Sequence, residues 1–489
     1  MLFNSYEFLF GYLPIVFVLF FLIARKNHSQ AAGFLGLASL VFYAWFSVQS
    51  LPLLIGSIIV NYQLGLKISQ FQNKQLLILG LILNLAALSF FKYANFFIEN
   101  TNYFIHLSGG HQISPLDIAL PIGISFFTFT QIAFLVDSYQ GKVTEKNFTH
   151  YLLFVTYFPH LIAGPVLHHA QMMPQFAKKE TYQLNYPSIA LGVTIFTIGL
   201  AKKILIANPL GEYADIFFNA ITIHSSPSFT NAWLGTLAYT FQIYFDFSGY
   251  TDMAIGLSML FGISLPINFN APYRATNIIE FWRRWHISLS TFLKDYLYIP
   301  LGGNQYGRVR RYINLLTTMV LGGLWHGASW TFILWGVTHG LLLSISHLWA
   351  DTYISRYFRI KWLAPLFWLS TFIIICFTWV LFRVEQISQV SPIYQGLLGL
   401  NEFGSIKLDW AFHHLKAHNL YKLLIFSFLI IFFGKPSHEL TGTLIRINTK
   451  LKHIPNPIKY YLSSFFIFFF IMYCINLVGT YNPFLYFQF

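Results

Sequence analysis

Apolar stretches of roughly 15–21 residues, the length a bilayer span asks for when some helices are kinked or aided by neighbours, recur from one end of the chain to the other. They lie at 8–24, 31–46, 51–66, 76–91, 118–136, 187–207, 229–247, 312–325, 328–349, 363–382, 420–434 and 460–478. Lipid offers no partner to an open backbone group, so such runs cross a membrane as helices. The pattern predicts an all-α polytopic membrane protein, with a single integral-membrane domain over residues 1–489 and its largest non-membrane segment at 383–419. The opening "MLFNSYEFLFGYLPIVFVLFFLIARK" has neither a basic leader nor a small-residue cleavage site after its apolar run, and reads as a retained first helix. No internal repeat stands out, which weighs against transporter folds built from duplicated halves.

One stretch has a different rhythm. In "TNIIEFWRRWHISLSTFLKDYLYIP" (276–300), Ile278, Trp282, Trp285, Leu289, Phe292 and Tyr296 are spaced alternately four and three apart, which draws one apolar stripe along a helix. Asn277 and Glu280 resemble a capping box, and Pro300 stops the run. Arg283, Ser290 and Lys294 point away from the stripe, while His286 falls on its boundary. The expectation is one amphipathic helix lying at the membrane surface or wedged beneath it.

Composition sharpens the class. Of 489 residues, 56% are hydrophobic and 10% charged, against about 25% charged in a soluble domain. The net charge of +13 does not point to nucleic acid, because the basic residues sit in short loops between apolar runs, as positive-inside topology requires. Arg25, Lys26, Lys67, Lys74, Lys142, Lys146, Lys178 and Lys179 then lie in the cytoplasm. So do Arg356, Arg359, Lys361, Lys435, Arg446, Lys450, Lys452 and Lys459, and the basic segment 271–311. The loop around Glu212 and Asp215 lies outside, as do both termini. Cys376 and Cys474 stand far apart in separate apolar runs, which argues against a disulfide framework or a cysteine metal site.

Chemistry concentrates in "GGLWHGASW" (322–330), where His326 sits within membrane-like sequence. Two readings stand: a buried histidine bonded to a neighbouring helix, or a ring that works on a ligand. Gly322, Gly323 and Gly327 permit close backbone approach or leave a cavity beside the ring, with Trp325 and Trp330 as walls, and this favours a ligand. The adjacent pairs His168/His169 and His413/His414 do not make a metal-ligand spacing, and GxSxG is absent. That leaves His326 as a direct general base, kept neutral by burial. Asp246 and Asp252, with Gln242 one turn before Asp246, are intramembrane polar residues whose structural role would be to bond broken helix ends around Gly249. His339 and His347, with Trp335 one turn before His339, read as tunnel or packing residues.

The sequence resembles the membrane-bound O-acyltransferases, in particular their bacterial alginate O-acetylase branch. The matching stretches are "LPIGISFFTFTQIAFLVDSYQG" (120–141), "YFPHLIAGPV" (157–166), "GLAKKILIAN" (199–208), the long block 239–304, "LGGLWHGASWTFILWGVTHG" (321–340) and the ending "NPFLYFQF" (482–489). The resemblance implies a ring of tilted helices around a thin centre pierced by a tunnel, with the WHG histidine, His326, catalytic and the RRWH histidine, His286, facing it. It implies acetyl-CoA or a related acyl thioester as a cytoplasmic donor substrate, with no tightly bound cofactor and no metal. The implied acceptor is a secreted polysaccharide, reached through a periplasmic acyltransferase partner, and the implied location is the bacterial inner membrane.

The residues agree with that chemistry: a thioester donor bearing phosphates needs cations at its entrance, and Arg283, Arg284, Lys294 and Arg308 could supply them. Ordinary positive-inside charge in contact with membrane lipids explains the same cluster equally well. Two rival functions remain, a D-alanyl transferase fed by a carrier-protein thioester and a non-enzymatic polysaccharide or lipid transporter. The topology is directly testable. With Cys376 and Cys474 replaced by alanine, Arg308→Cys should react with a thiol reagent only when the reagent enters the cytoplasm, and Glu212→Cys should react from outside. The reverse pattern would put the basic segment on the wrong face.

Overall fold

Every regular element among the described residues is helical, the outcome expected of a chain that must close its own backbone hydrogen bonds inside lipid. The computed structural model describes residues 1–162, 164–222, 225–352, 363–401, 417–440, 467–474 and 476–477. Arg356, Arg359, Lys361, His413, His414, Arg446, Lys450, Lys452, Lys459 and the ending 482–489 lie outside these. Seven helical stretches of the described chain are long and apolar enough to span a bilayer: Glu7–Ala24, His28–Phe46, Leu51–Phe71, Lys74–Leu107, Tyr186–Ala220, Trp330–Ala350 and Ala364–Arg383. The apolar runs at 118–136, 229–247, 312–325 and 420–434 also become helices, but shorter or more polar ones.

The helices gather into two units, Met1–Phe196 with Met253–Pro266, and Thr197–Asp252 with Ile267–Phe489. The first contains α1 (Leu13–Ala24), α2 (His28–Phe46), α3 (Leu51–Phe71), α4 (Lys74–Leu107), α5 (Ile124–Tyr139), α6 (Phe148–Thr156) and α7 (His169–Phe176). Most of α8 (Tyr186–Ala201) and the last turns of α10 (Phe229–Leu260) complete it. Apolar side chains such as Ile15, Val18, Leu22, Ile78, Ile82 and Leu83 face outward, as lipid contact requires. Polar side chains inside bond to one another: Asn61 of α3 donates to Asn84 of α4 at 3.2 Å, and Gln131 of α5 donates to Ser57 at 2.9 Å. Asp137 meets His169 at 2.9 Å.

The second unit holds the rest of α10, with α9 (Asn208–Ala220), α11 (Ile278–Arg284), α12 (Ile287–Leu293), α13 (Gly307–His326), α14 (Trp330–Ala350), α15 (Ala364–Arg383), α16 (Val390–Leu397) and α17 (Ala417–Phe433). Between α8 and α9 the helical path widens into π-helical turns over Lys202–Ala207. An aromatic core of Tyr273, Phe281, Trp285, Trp335 and Trp379 packs under α14 and α15. Its polar tips are satisfied: the Tyr273 hydroxyl donates to the Thr240 carbonyl at 2.6 Å and accepts from the Trp379 indole at 3.0 Å. Arg274 donates to the carbonyls of Ile431 and Gly434 at the C-terminal end of α17, where a cation meets the negative end of the helix dipole.

Three expectations need correction. Residues 276–300 do not form one helix, because His286 takes a left-handed conformation (φ 43°, ψ 55°) that separates α11 from α12. Helix α10 runs unbroken through Gly249, so there are no broken ends there for Asp246 and Asp252 to bond. The glycines around His326 let α13 and α14 close on each other and do not leave a cavity. A Cβ at Gly323 would stand 2.3 Å from the Phe332 carbonyl oxygen, and one at Gly336 would stand 2.4 Å from that of Met319.

Both obstacles are backbone, which cannot swing aside. We expect Gly336→Val to destabilise the purified protein by about 1–3 kcal/mol, the usual cost of overpacking. It should be read as a lower unfolding midpoint in detergent. Gly33→Ala, at a site with nothing within 4 Å of the added carbon, should leave the midpoint unchanged.

Candidate active site

The end of α13 carries His326 into an aromatic cage. It is the last helical residue, and Gly327 follows in extended conformation before Ser329 caps α14 by accepting from the Thr331 N–H. The imidazole lies 4.9 Å from the Trp325 ring, 5.3 Å and nearly perpendicular from Trp335, and 4.9 Å from Phe382 of α15. Trp330, expected as a wall, is 53% exposed at the start of α14, and Trp335 and Phe382 are the walls in its stead.

His286 reaches the same place from the α11–α12 junction. Its left-handed backbone is held by Asn268, whose carbonyl accepts the Ile287 N–H at 3.0 Å and whose side-chain oxygen accepts the Ser288 N–H at 3.1 Å and hydroxyl at 2.9 Å. Because that oxygen is identified by the backbone donor it accepts, the His286 Nδ1 at 3.2 Å is the protonated nitrogen, and Nε2 is the basic one. The residue is not at an interfacial boundary but buried, and burial pushes its pKa down to about 3, so the ring is neutral near pH 7. Phe247 packs edge-on against it at 4.6 Å. Trp325 lies 6.3 Å from His286 and 4.9 Å from His326, so one indole contacts both imidazoles.

A third histidine joins through α14. The Trp282 indole N–H donates to His339 Nδ1 at 3.3 Å, and the Trp335 ring lies 4.7 Å from His339. His339 and Trp335 are both buried. His347 is half-buried near the far end of the helix.

The buried acids have partners that the sequence reading did not assign. Lys203 donates to Asp246, both almost fully buried, and Lys202 donates to Asp252 at 2.6 Å and to Ser437 at 2.8 Å. Ser437 in turn donates to Asp252 at 2.7 Å. Gly249 makes this possible, since a Cβ there would stand 2.8 Å from the Gly199 carbonyl oxygen. The signal was present in "GLAKKILIAN": two lysines inside an apolar run need anions nearby. Gln242 lies buried on the same helix as Asp246 and Asp252.

The basic residues of 276–311 separate into two kinds. Arg284 is committed to structure: it grips Glu280 at 2.7 and 3.1 Å and reaches the Asn270 carbonyl at 3.2 Å. Asn277 caps α11 by accepting the Glu280 N–H at 2.8 Å, while the Glu280 carboxylate reaches Thr276 instead of closing the box on Asn277. Burial opposes ionisation of Glu280, but the Thr276 N–H and hydroxyl and Arg284 outweigh it and hold the carboxyl below the usual range. Arg283, Lys294 and Arg308 are exposed, with Lys294 3.5 Å from Asp295.

Comparison with known proteins gives this geometry a context. The model of the MBOAT, membrane-bound O-acyltransferase, family matches residues 21–384. A peptidoglycan O-acetyltransferase of Helicobacter pylori is 46% identical over 432 residues, covering 82% of this chain and 80% of that protein. A protein named "Probable alginate O-acetylase", from Pseudomonas aeruginosa, is 41% identical over 445 residues, 89% of this chain and 81% of its own. A teichoic acid D-alanyltransferase of Bacillus subtilis is more distant, 28% identical over 286 residues, 55% of this chain and 70% of its own.

The Lys203–Asp246 pair lies within the matched range and can be tested by itself. Removing one member of a buried ion pair strands the other charge and typically costs about 3–5 kcal/mol, whereas replacing both with apolar residues is often neutral. We expect Lys203→Met and Asp246→Leu each to lower the unfolding midpoint sharply and the double variant to recover most of it. Equal loss in all three would show that the pair is not the source of the effect.

Proposed function

The chain belongs to the membrane-bound O-acyltransferase family, and on that premise we propose that it passes an acetyl group from a cytoplasmic thioester donor towards a polysaccharide outside the inner membrane, with His326 as the base. It is a multi-pass membrane acyltransferase. The observation that carries the finer reading is His326 itself, a buried imidazole at a helix end, with a second neutral imidazole, His286, reached through one shared indole. The two relatives named for O-acetylation act on peptidoglycan and alginate, which supports an envelope or secreted glycan as the acceptor. A periplasmic acyltransferase partner would complete the delivery.

The chemistry is a balanced acyl transfer. The acceptor hydroxyl gives its proton to a nitrogen of His326 as its oxygen bonds to the thioester carbonyl carbon, and the carbonyl electron pair moves onto oxygen. Collapse of that oxyanion breaks the carbon–sulfur bond, and the departing thiolate takes the proton back from His326. The products are an ester and a free thiol, and the base is regenerated. His286, with Nε2 basic and Nδ1 tied to Asn268, is suited to accept a hydrogen bond from the incoming hydroxyl or to orient it. An aromatic enclosure around His326 limits water, the competing nucleophile for the thioester. The exposed cations Arg283, Lys294 and Arg308 are available to donor phosphates, whereas Arg284 is engaged with Glu280.

We expect His326→Ala and His326→Gln to abolish transfer while the protein still inserts, since an amide hydrogen-bonds but does not accept a proton near pH 7. Ester-bound acetate on peptidoglycan and on secreted polysaccharide, compared between wild-type and variant cells, measures this and identifies the acceptor. Near-normal acetate in either variant removes His326 from the base role. Transfer from a carrier-protein thioester but not from acetyl-CoA in isolated membranes would move the donor to the D-alanyl type.

A further inference from the structure

Building on the reading of His326 as the base, we infer that His339 Nε2–H and Trp335 Nε1–H form the donor pair that holds the thioester carbonyl oxygen and its developing negative charge. Three observations support the assignment. The first is a tautomer. An indole nitrogen only donates, so His339 Nδ1, at 3.3 Å from Trp282 Nε1, accepts and carries no proton. A neutral His339 therefore bears its hydrogen on Nε2, the atom on the other side of the ring from Trp282.

The second is that this N–H and the Trp335 indole N–H are both buried without a hydrogen-bond partner among the described residues. His339 is 0% exposed and Trp335 is 1% exposed, so solvent does not serve either group. A buried donor left without an acceptor costs about 1–3 kcal/mol. Two such donors in contact are a poor packing solution and a good binding one.

The third is placement. The Trp335 ring is 4.7 Å from His339 and 5.3 Å from His326, so both donors adjoin the residue that would remove the acceptor's proton. Trp282 then acts as a positioning residue, holding the His339 tautomer from α11 while His339 and Trp335 face the reaction from successive turns of α14. Attack on the carbonyl moves an electron pair onto its oxygen, and two fixed N–H groups stabilise that charge without being consumed. Neither donor changes protonation state in the step.

Trp335→Phe keeps the aromatic wall and deletes one N–H. Removing a single donor of this kind typically costs about 10²–10³ in kcat, with little change in KM because the interaction strengthens only as charge develops. We expect a fall of that order in membranes holding the full-length chain and given labelled acetyl-CoA and purified peptidoglycan strands, and a matching loss of glycan-bound acetate in cells. His339→Phe should fall comparably, whereas His339→Gln should retain activity within about tenfold of wild type, because an amide accepts from Trp282 with its oxygen and still donates with its nitrogen. Rates are normalised to correctly inserted protein. Wild-type kcat in inserted Trp335→Phe or inserted His339→Phe overturns the assignment. If His326→Ala is inactive in the same series, that failure belongs to the donor pair alone. If His326→Ala is active, the base reading fails with it.

Discussion

A polar group inside a bilayer has no water to fall back on, and this constraint arranges most of what is distinctive in the second unit. The Lys203–Asp246 and Lys202–Asp252–Ser437 contacts, the Tyr273 hydroxyl shared between Thr240 and Trp379, and Arg274 at the end of α17 are all answers to it. Each bridges elements far apart in sequence, so satisfying the polar groups also determines which helices lie together. The π-helical turns at Lys202–Ala207 sit where two of these bridges begin. Buried charge here does not add stability by its own attraction so much as penalise every arrangement that separates the pair.

The catalytic histidine depends on a different contact, that of backbone on backbone. Gly323 and Gly336 bring α13 and α14 together closely enough that Trp335 and Phe332 stand beside His326. His286 is set by a side chain, since Asn268 spends both its main-chain carbonyl and its amide oxygen on the turn that follows. The two imidazoles are therefore positioned by independent devices, one of small residues and one of hydrogen bonds, and Trp325 is where the results meet.

The membrane class and many of the spans were legible because burial in lipid writes itself into local composition. The break at His286 was not. The apolar stripe continues in step across it, since α11 and α12 bury the same kind of face, and the cause of the break is Asn268, 18 residues upstream of His286. The partners of Asp246 and Asp252 were hidden for the same reason, at separations of 43 and 50 residues. Around His326 the glycines were visible, but a glycine marks both a gap and a close approach, and only the opposing backbone decides which. His339 stood out as a histidine. Its tautomer depends on Trp282, 57 residues away, and no local pattern reports that.

The π-helical turns over Lys202–Ala207 also govern how this segment can vary in length. A π turn holds one residue more than an α turn, so removing a single residue there would restore regular winding and rotate all that follows by about 100°. Helix α9, with Asp215 facing Arg383 at 2.7 Å, would then present the wrong side to α15. Substitutions in this stretch are judged one side chain at a time, but insertions and deletions are judged by helical phase. Length is therefore the property of this segment with least freedom to drift.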